Sequence, residues 1–376
     1  MVCVFKSCNQ SAFNAVFYYD GGKDASMIIK NVSLYGNITD IAVENGKISA
    51  IGKTKDEGVD FGGAKIYPGL IDIHSHGCIG FDTMEGHLSE MADWQLKNGV
   101  TTWYPTTMTM SKEEIIAATS ENINLGHGAN IPGFHMEGPF INKKYKGAQN
   151  EEYVIPPSME LFNACKNVKI VTIAPEVEGS EEFIRECPAV VSIGHTEADY
   201  NTALAAFKAG AKKLTHTYNV MPGIHHRAPG PIGAASDTEG VYAELICDGK
   251  HIHSSAVKML IKILGTDRVI LISDSMRATG LGDGVYSFGG QPITVKDGTA
   301  LTEGGNLAGS TSTLFDCVKV AISFGISADD AVAMASKNPA RLMGLNKGKI
   351  EVGYDADFII VDDEFNLIKA IVRGEM

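Results

Sequence analysis

Gly69-Leu70-Ile71-Asp72-Ile73-His74-Ser75-His76 is an apolar run that ends on two histidines spaced two apart. On a β-strand, residues two apart point to the same face, so both imidazoles can grip one ion at the strand's carboxyl end. A lone His-x-His is weak evidence, because neutral imidazoles also serve as hydrogen-bonded core residues. Four further runs end in the same way. Glu137 closes Pro132-Gly133-Phe134-His135-Met136-Glu137, and His195 closes Val190-Val191-Ser192-Ile193-Gly194-His195. His216 closes Lys213-Leu214-Thr215-His216, and Asp274 closes Val269-Ile270-Leu271-Ile272-Ser273-Asp274. Five polar exits in the same register imply one shared rim.

Strand-like runs fall near 67–76, 101–107, 131–138, 168–174, 189–195, 212–219, 241–248 and 267–274. Amphipathic helical patterns fill most of the intervals. Tyr200 to Phe207, closed by Gly210, is one; Ser254 to Leu264, with Val257, Leu260, Ile261 and Leu264 at helical spacing, is another. Continuous apolar strands alternating with helices predict a parallel sheet covered by helices. Eight such units predict an α/β chain built as a (β/α)8 TIM-like barrel, with its chemistry at the carboxyl ends of the strands. A doubly wound open sheet is the alternative, but no Gly-x-Gly-x-x-Gly turn follows an early strand.

The chain ends read as short alternating strands, with Asn45-Gly46 as a hairpin turn. The expectation is a small β-sandwich domain formed by both ends, 1–66 and 345–376, around a barrel over 67–344. Residues 284–300 read as an inserted hairpin that could join that domain. The formal charge of −13 argues against nucleic acid as the main partner, since phosphate binding needs a positive surface. Seven cysteines without paired spacing do not form a disulfide framework or a Cys-rich zinc site. No run approaches the ~18 apolar residues of a membrane span. The first 25 residues do not read as a signal peptide. The expected location is therefore a reducing, cytoplasmic one.

Pro68-Gly69-Leu70-Ile71-Asp72-Ile73-His74-Ser75-His76-Gly77 resembles the first-strand motif of the amidohydrolase superfamily. Gly353-Tyr354-Asp355-Ala356-Asp357-Phe358 resembles its C-terminal signature. Further segments resemble the N-acetylglucosamine-6-phosphate deacetylase family within it. They are His135-Met136-Glu137-Gly138-Pro139-Phe140, Gly194-His195-Thr196 and Thr215-His216-Thr217-Tyr218-Asn219-Val220-Met221. The likeness continues through His226-Arg227-Ala228-Pro229-Gly230, Cys247-Asp248-Gly249-Lys250-His251, Ser273-Asp274-Ser275-Met276 and Leu307-Ala308-Gly309-Ser310.

The resemblance implies metal-dependent hydrolysis of the acetamide of N-acetyl-D-glucosamine 6-phosphate, giving glucosamine 6-phosphate and acetate. It assigns His195, His216 and Glu137 to one divalent ion. It assigns His74 and His76 to a second, with Glu137 bridging and Asp274 as an added ligand. Up to two ions per chain are expected, zinc or iron before others, since His and carboxylate suit several metals. Asp274 is implied as the acid/base that takes a proton from water and gives it to the departing nitrogen. The plain alternative for Asp274 is a helix N-cap.

For the substrate, the resemblance implies Arg227 and His251 with Asn219 and the Val220 amide, together with Ala148, Gln149, Leu307 and Gly309. It also implies a homodimer in which Arg227 reaches the neighbouring subunit's site. Read without the resemblance, His225-His226-Arg227 is a solvated loop. His253 reads as structural, and His87 and His127 as surface residues. His135 reads equally as a core residue or a support for the rim. Many deacetylases carry His where this chain has Gln149, and Gln donates only a neutral hydrogen bond. The expectation is that Gln149 and a two-metal site belong together. Two other readings stay open: another barrel hydrolase, such as a cyclic-amide hydrolase or a deaminase, and a non-catalytic scaffold on the same fold.

Overall fold

A computed structural model of the chain describes residues 27–375. The part of the expected terminal domain before residue 27, and the expectation about a leader segment, lie outside the described residues.

Eight parallel strands form one sheet: Leu70–Ser75, Val100–Thr107, Phe134–Glu137, Val168–Ile173, Val190–Ile193, Lys213–Leu214, Tyr242–Ile246 and Val269–Ile272. Each lies beside its sequence neighbours, the order of a (β/α)8 barrel. All eight strands fall within or next to the apolar runs of the sequence. The sixth is the shortest. Beyond Leu214 the chain leaves the ladder, and the His216 N–H is taken by the Glu244 side chain at 3.1 Å.

The sheet has no full ladder between its first and last strands, so the barrel closes by other bonds. The Asp274 N–H donates to the His74 carbonyl at 2.9 Å, and the His76 N–H donates to the Ser275 carbonyl at 2.8 Å. Below them, the Asp72 carboxylate accepts from Ser273 Oγ at 2.5 Å. Burial pushes the Asp72 carboxyl up to about 6, against the bonds from Ser273 and His74. This seam brings His74 and His76 next to Asp274.

Helices cover the barrel. Tyr200–Ala209 is capped by Asp199 and ends at Gly210, and Ser254–Leu264 buries Val257, Leu260 and Leu264. These apolar faces join one large core with the outward faces of the strands. At ~25 cal/mol per Å², such burial is the main stabilising term.

Both chain ends meet in one seven-stranded sheet. Its order is Leu367–Ile371, Phe358–Val361, Lys65–Pro68, Met27–Leu34, Asn37–Glu44 and Lys47–Ile51, with Val59–Asp60 beside Met27–Leu34. It encloses a separate core that includes Ile29, Ile41, Val43, Ile66, Phe358 and Ile360. Asn45 and Gly46 turn its hairpin with φ of 50° and 74°, the left-handed pair that the Asn-Gly step supplies readily.

Residues 284–302 differ from the expectation that they could extend the terminal sheet. They form their own three-stranded sheet, Gly284–Phe288, Gln291–Lys296 and Thr299–Thr302. Phe288, Ile293, Val295 and Ala300 pack on Met108, Met276 and Ala278 beside the barrel rim. The reason is the polarity of its faces: the apolar side has a hydrophobic wall at the rim to cover. No helix among the described residues is long and apolar enough to cross a membrane.

Candidate active site

The polar strand exits converge. His74 and His76 leave the first strand on one face, with their Nε2 atoms 3.3 Å apart. Glu137 ends the third strand, while His195, His216 and Asp274 sit just beyond the fifth, sixth and eighth. The last three have φ of 49°, 29° and 48°. Left-handed backbone costs a non-glycine residue on the order of 1–3 kcal/mol and concentrates at functional sites. It turns each side chain inward over the barrel mouth. Gly194 lets the chain pass close at this point, since a Cβ there would lie 2.5 Å from Thr215 Cβ. No helix starts at Asp274, so the N-cap alternative does not apply.

Two triads of donor atoms result, Glu137–His195–His216 and His74–His76–Asp274. In the first, His216 Nε2 lies 3.1 Å from Glu137 Oε1 and 3.1 Å from His195 Nε2, and His195 Nε2 is 3.4 Å from Glu137 Oε1. In the second, Asp274 Oδ1 lies 3.5 Å from His74 Nε2 and 3.3 Å from His76 Nε2. Glu137 touches both: its Oε1 is 3.2 Å from His74 Nε2, and its Oε2 is 3.2 Å from His76 Nε2. Zinc–nitrogen bonds of about 2.0–2.1 Å give a tetrahedron whose edge is about 3.3 Å. The observed separations match that edge. Ring nitrogens that face each other at 3.1–3.3 Å need either a shared proton or a common cation between them. The residues present therefore fit a divalent ion in each triad.

Electrostatics point the same way. Burial disfavours charge on His74, but Glu137, Asp274 and Glu244 outweigh it and hold the imidazole well above its usual range. Burial likewise opposes charge on His76, yet Asp274 and Glu137 push it up to about 9. Burial would raise Glu137 and Asp274; the facing histidines more than offset this and hold both carboxyls below their usual values. The rim is a concentrated store of negative charge held by protons or by cations.

A cavity of about 470 Å³ opens above it. That is within the range of about 300–1,000 Å³ usual for small-molecule sites. His76, Glu137, His195, His216 and Asp274 line it, while His74 lies buried beneath. Of the residues expected at the substrate, Ala148, Gln149, Asn219, Val220, His251, Leu307 and Gly309 line it too. Arg227 does not: it is exposed and bonded to His226 Nε2 at 2.9 Å.

Gln149 is held at both ends. Its Oε1 accepts from the Thr109 N–H at 2.7 Å, and its Nε2 donates to Glu137 Oε2 at 2.7 Å. His251 Nδ1 is 2.7 Å from Asp248 Oδ2, so its ring is aimed by that carboxylate. Lys144, Lys146, Phe288 and Asn306 also line the cavity, and none of them was expected at the site from the sequence. The cluster Lys143-Lys144-Tyr145-Lys146, just before Gly147, was the available signal for the lysines.

Other histidines have local roles. His253 caps the helix Ser254–Leu264, accepting from the Ser255 N–H at 3.2 Å. His87 and His127 are exposed beside Glu90 and Asp93. His135 is buried beneath the rim, bonded to the Ile73 carbonyl and Thr172 Oγ1.

Known proteins resemble this chain in sequence and fold. Residues 66–376 match the amidohydrolase family. The N-acetylglucosamine-6-phosphate deacetylase of Bacillus subtilis (strain 168) is 40% identical over 333 residues, 83% of this chain and 84% of that protein. The crystal structure of the same enzyme from Thermotoga maritima superposes with a TM-score of 0.86 at 34% identity, covering 93% of this chain and 99% of that one. A mutant of the Mycobacterium smegmatis enzyme, in complex with N-acetyl-D-glucosamine-6-phosphate, also gives 0.86, at 29% identity over 93% of this chain and 98% of that one. With its barrel, its two donor triads and a match over most of its length, this chain belongs to the amidohydrolase family.

Proposed function

We propose that this chain hydrolyses the acetamide of N-acetyl-D-glucosamine 6-phosphate to D-glucosamine 6-phosphate and acetate. One observation carries the reading: two donor triads that share Glu137 form the floor of a cavity of substrate size. Similarity to deacetylases over most of the chain supplies the substrate. The catalytic part is assigned to 67–344, and the ends, 1–66 and 345–376, to a supporting β domain. The protein acts in amino-sugar catabolism in a reducing, cytoplasmic compartment, a reading supported by five free cysteines among the described residues.

His195 and His216 with Glu137 would hold one divalent ion, and His74, His76 and Asp274 with Glu137 a second, zinc or iron before others. Ions bound there supply charge to polarise the acetyl carbonyl and to make water nucleophilic near neutral pH. Asp274, ionised through the neutral range, accepts a proton from the attacking water and delivers it to the leaving nitrogen. Gln149 steadies Glu137 with one amide hydrogen and has a second for the substrate. His251, aimed by Asp248, and Asn219, Val220, Ala148, Leu307 and Gly309 shape the sugar site.

A bridging carboxylated lysine, the mark of many cyclic-amide hydrolases, finds no support. Lys213 is buried in an ion pair with Glu244, and the bridging position belongs to Glu137. The direct test is product analysis: the metal-loaded protein releases acetate and free amine in equal amounts from N-acetylglucosamine 6-phosphate. Acetate release no faster than in buffer would sink the reading.

Metal uptake should depend on pH. His76 is raised to about 9 and His74 also lies high, so both carry protons near pH 7 when no cation competes. A ligand imidazole must be neutral, so affinity should rise from pH 7 towards 9 and fall on acidification. Loading the metal-free protein with zinc at pH 7 should release on the order of one proton per ion, read from the buffer dependence of calorimetric heats. No proton release would contradict this charge assignment.

Arg227 is proposed to reach the phosphate of the substrate bound by a neighbouring subunit of a homodimer. Its exposure, and its absence from the cavity wall of its own chain, support this. A guanidinium can clasp two phosphate oxygens. The phosphate does not react, so Arg227→Ala should raise KM strongly, lower kcat less, and remove most of the preference over unphosphorylated N-acetylglucosamine. Mixing Arg227→Ala with Asp274→Asn subunits should restore part of the activity. No recovery after verified exchange would place Arg227 elsewhere.

A further inference from the structure

Lys213 and Glu244 are charged residues inside the barrel, and the scheme above uses neither. Both side chains are fully buried and form an ion pair. The pair lies directly under the rim. Glu244 Oε1 accepts from Lys213 Nζ. Glu244 Oε2 faces His74 Nδ1 at 3.0 Å and accepts from the His216 N–H at 3.1 Å. One carboxylate thus touches a histidine of each triad.

A carboxylate can only accept, so the bond to Glu244 requires that His74 carry its hydrogen on Nδ1. In the neutral ring that metal binding requires, the Nε2 lone pair then faces His76, Asp274 and Glu137, all within 3.5 Å. His135 packs edge-on against His74, with ring centres 4.6 Å apart, and both its nitrogens are engaged by Ile73 and Thr172. It therefore does not compete for the His74 ring. Although Glu244, His74 and His135 lie close together, every donor atom among them already has a protein partner or faces the rim.

We propose that the Lys213–Glu244 pair is a positioning device that locks His74 in its Nδ1–H form and thereby sets the affinity of the His74–His76–Asp274 triad for its ion. Glu244 supplies the acceptor. Lys213 supplies the opposite charge without which a buried carboxylate is costly. Partners behind a metal-binding histidine typically contribute about 10- to 100-fold in affinity. The inference rests on the two-ion reading above.

Two variants test it by metal binding, independently of turnover. Lys213→Met/Glu244→Leu removes the pair without leaving a lone charge. Lys213→Met/Glu244→Gln also removes the charges but keeps an oxygen that can accept from His74. Zinc affinity is measured against a competing chelator, and the relevant ion is the one that His74→Ala/His76→Ala fails to bind. The Leu variant should bind that ion about 10- to 100-fold more weakly, and the Gln variant should recover most of the loss. A folded Leu variant with parental affinity for both ions would overturn the proposal. A second measurement needs no variant. In cadmium-113-loaded parent protein with nitrogen-15 histidine, His74 should show metal coupling at Nε2 and a proton on Nδ1. Coordination through Nδ1 would overturn the proposal even if the Leu variant does not fold. A parent that binds no ion at this triad would overturn the two-ion reading as well, whereas two tight ions with His74 in the other tautomer would overturn this inference alone.

Discussion

Asp274→Asn should lower turnover by at least ~100-fold while leaving substrate affinity nearly intact. Asn keeps the size of Asp, and it tolerates the left-handed backbone that Asp274 adopts at φ 48°. Two backbone bonds help to seat this residue, besides the contacts of its carboxylate with His74 and His76. Its N–H donates to the His74 carbonyl at 2.9 Å, and its carbonyl accepts from Ser310 at 2.7 Å. Neither changes on substitution, so the variant should fold. What it loses is a carboxylate, held ionised by His74 and His76 against the effect of burial, that can take and return a proton. Steady-state kinetics across the pH range check the result. A variant within a few-fold of the parent at its own optimum would mean that another group carries the proton.

Replacing Glu137 should have the broadest effect on metal content. It is the residue whose carboxylate spans both triads, with Oε1 within 3.1–3.4 Å of His216, His74 and His195, and Oε2 3.2 Å from His76. Glu137→Gln keeps the shape, and it leaves the Thr109 bond to Gln149 in place. It puts an amide NH2 on one side of the rim, where a cation should sit. A direct ligand should matter more than the partners behind it, so affinity for both ions should fall by more than about 100-fold. Metal analysis after dialysis at micromolar free zinc measures this. Full retention of both ions would remove Glu137 from the bridging position.

Much of this site is legible in the sequence because parallel barrel strands are buried on both faces. They stand out as apolar runs, and a polar residue at the exit of each run is conspicuous. His74, His76, Glu137, His195, His216 and Asp274 all carry that signature. Relations between distant residues leave no such trace. Glu244 lies 170 residues from His74, and Lys213 lies 31 from Glu244. The hint was local contradiction: a charge inside Tyr242-Ala243-Glu244-Leu245-Ile246 breaks an apolar strand, and so does Lys213 before Leu214. The left-handed turns at His195, His216 and Asp274 were also invisible, since none is a glycine. The sheet at 284–302 was readable as hairpin strands but not as a wall of the cavity. Its place depends on Phe288 meeting His76, a ring contact at 5.2 Å across more than 200 residues.

The claim on which the account turns is that one rim holds two ions, joined at Glu137 and separable at their outer ligands. Counting metal per chain by mass spectrometry in the parent and in His74→Ala/His76→Ala tests it most directly. The account predicts two ions in the zinc-saturated parent and one in the folded variant, the survivor held by Glu137, His195 and His216. A folded variant that keeps two ions, or one that loses both, would contradict it.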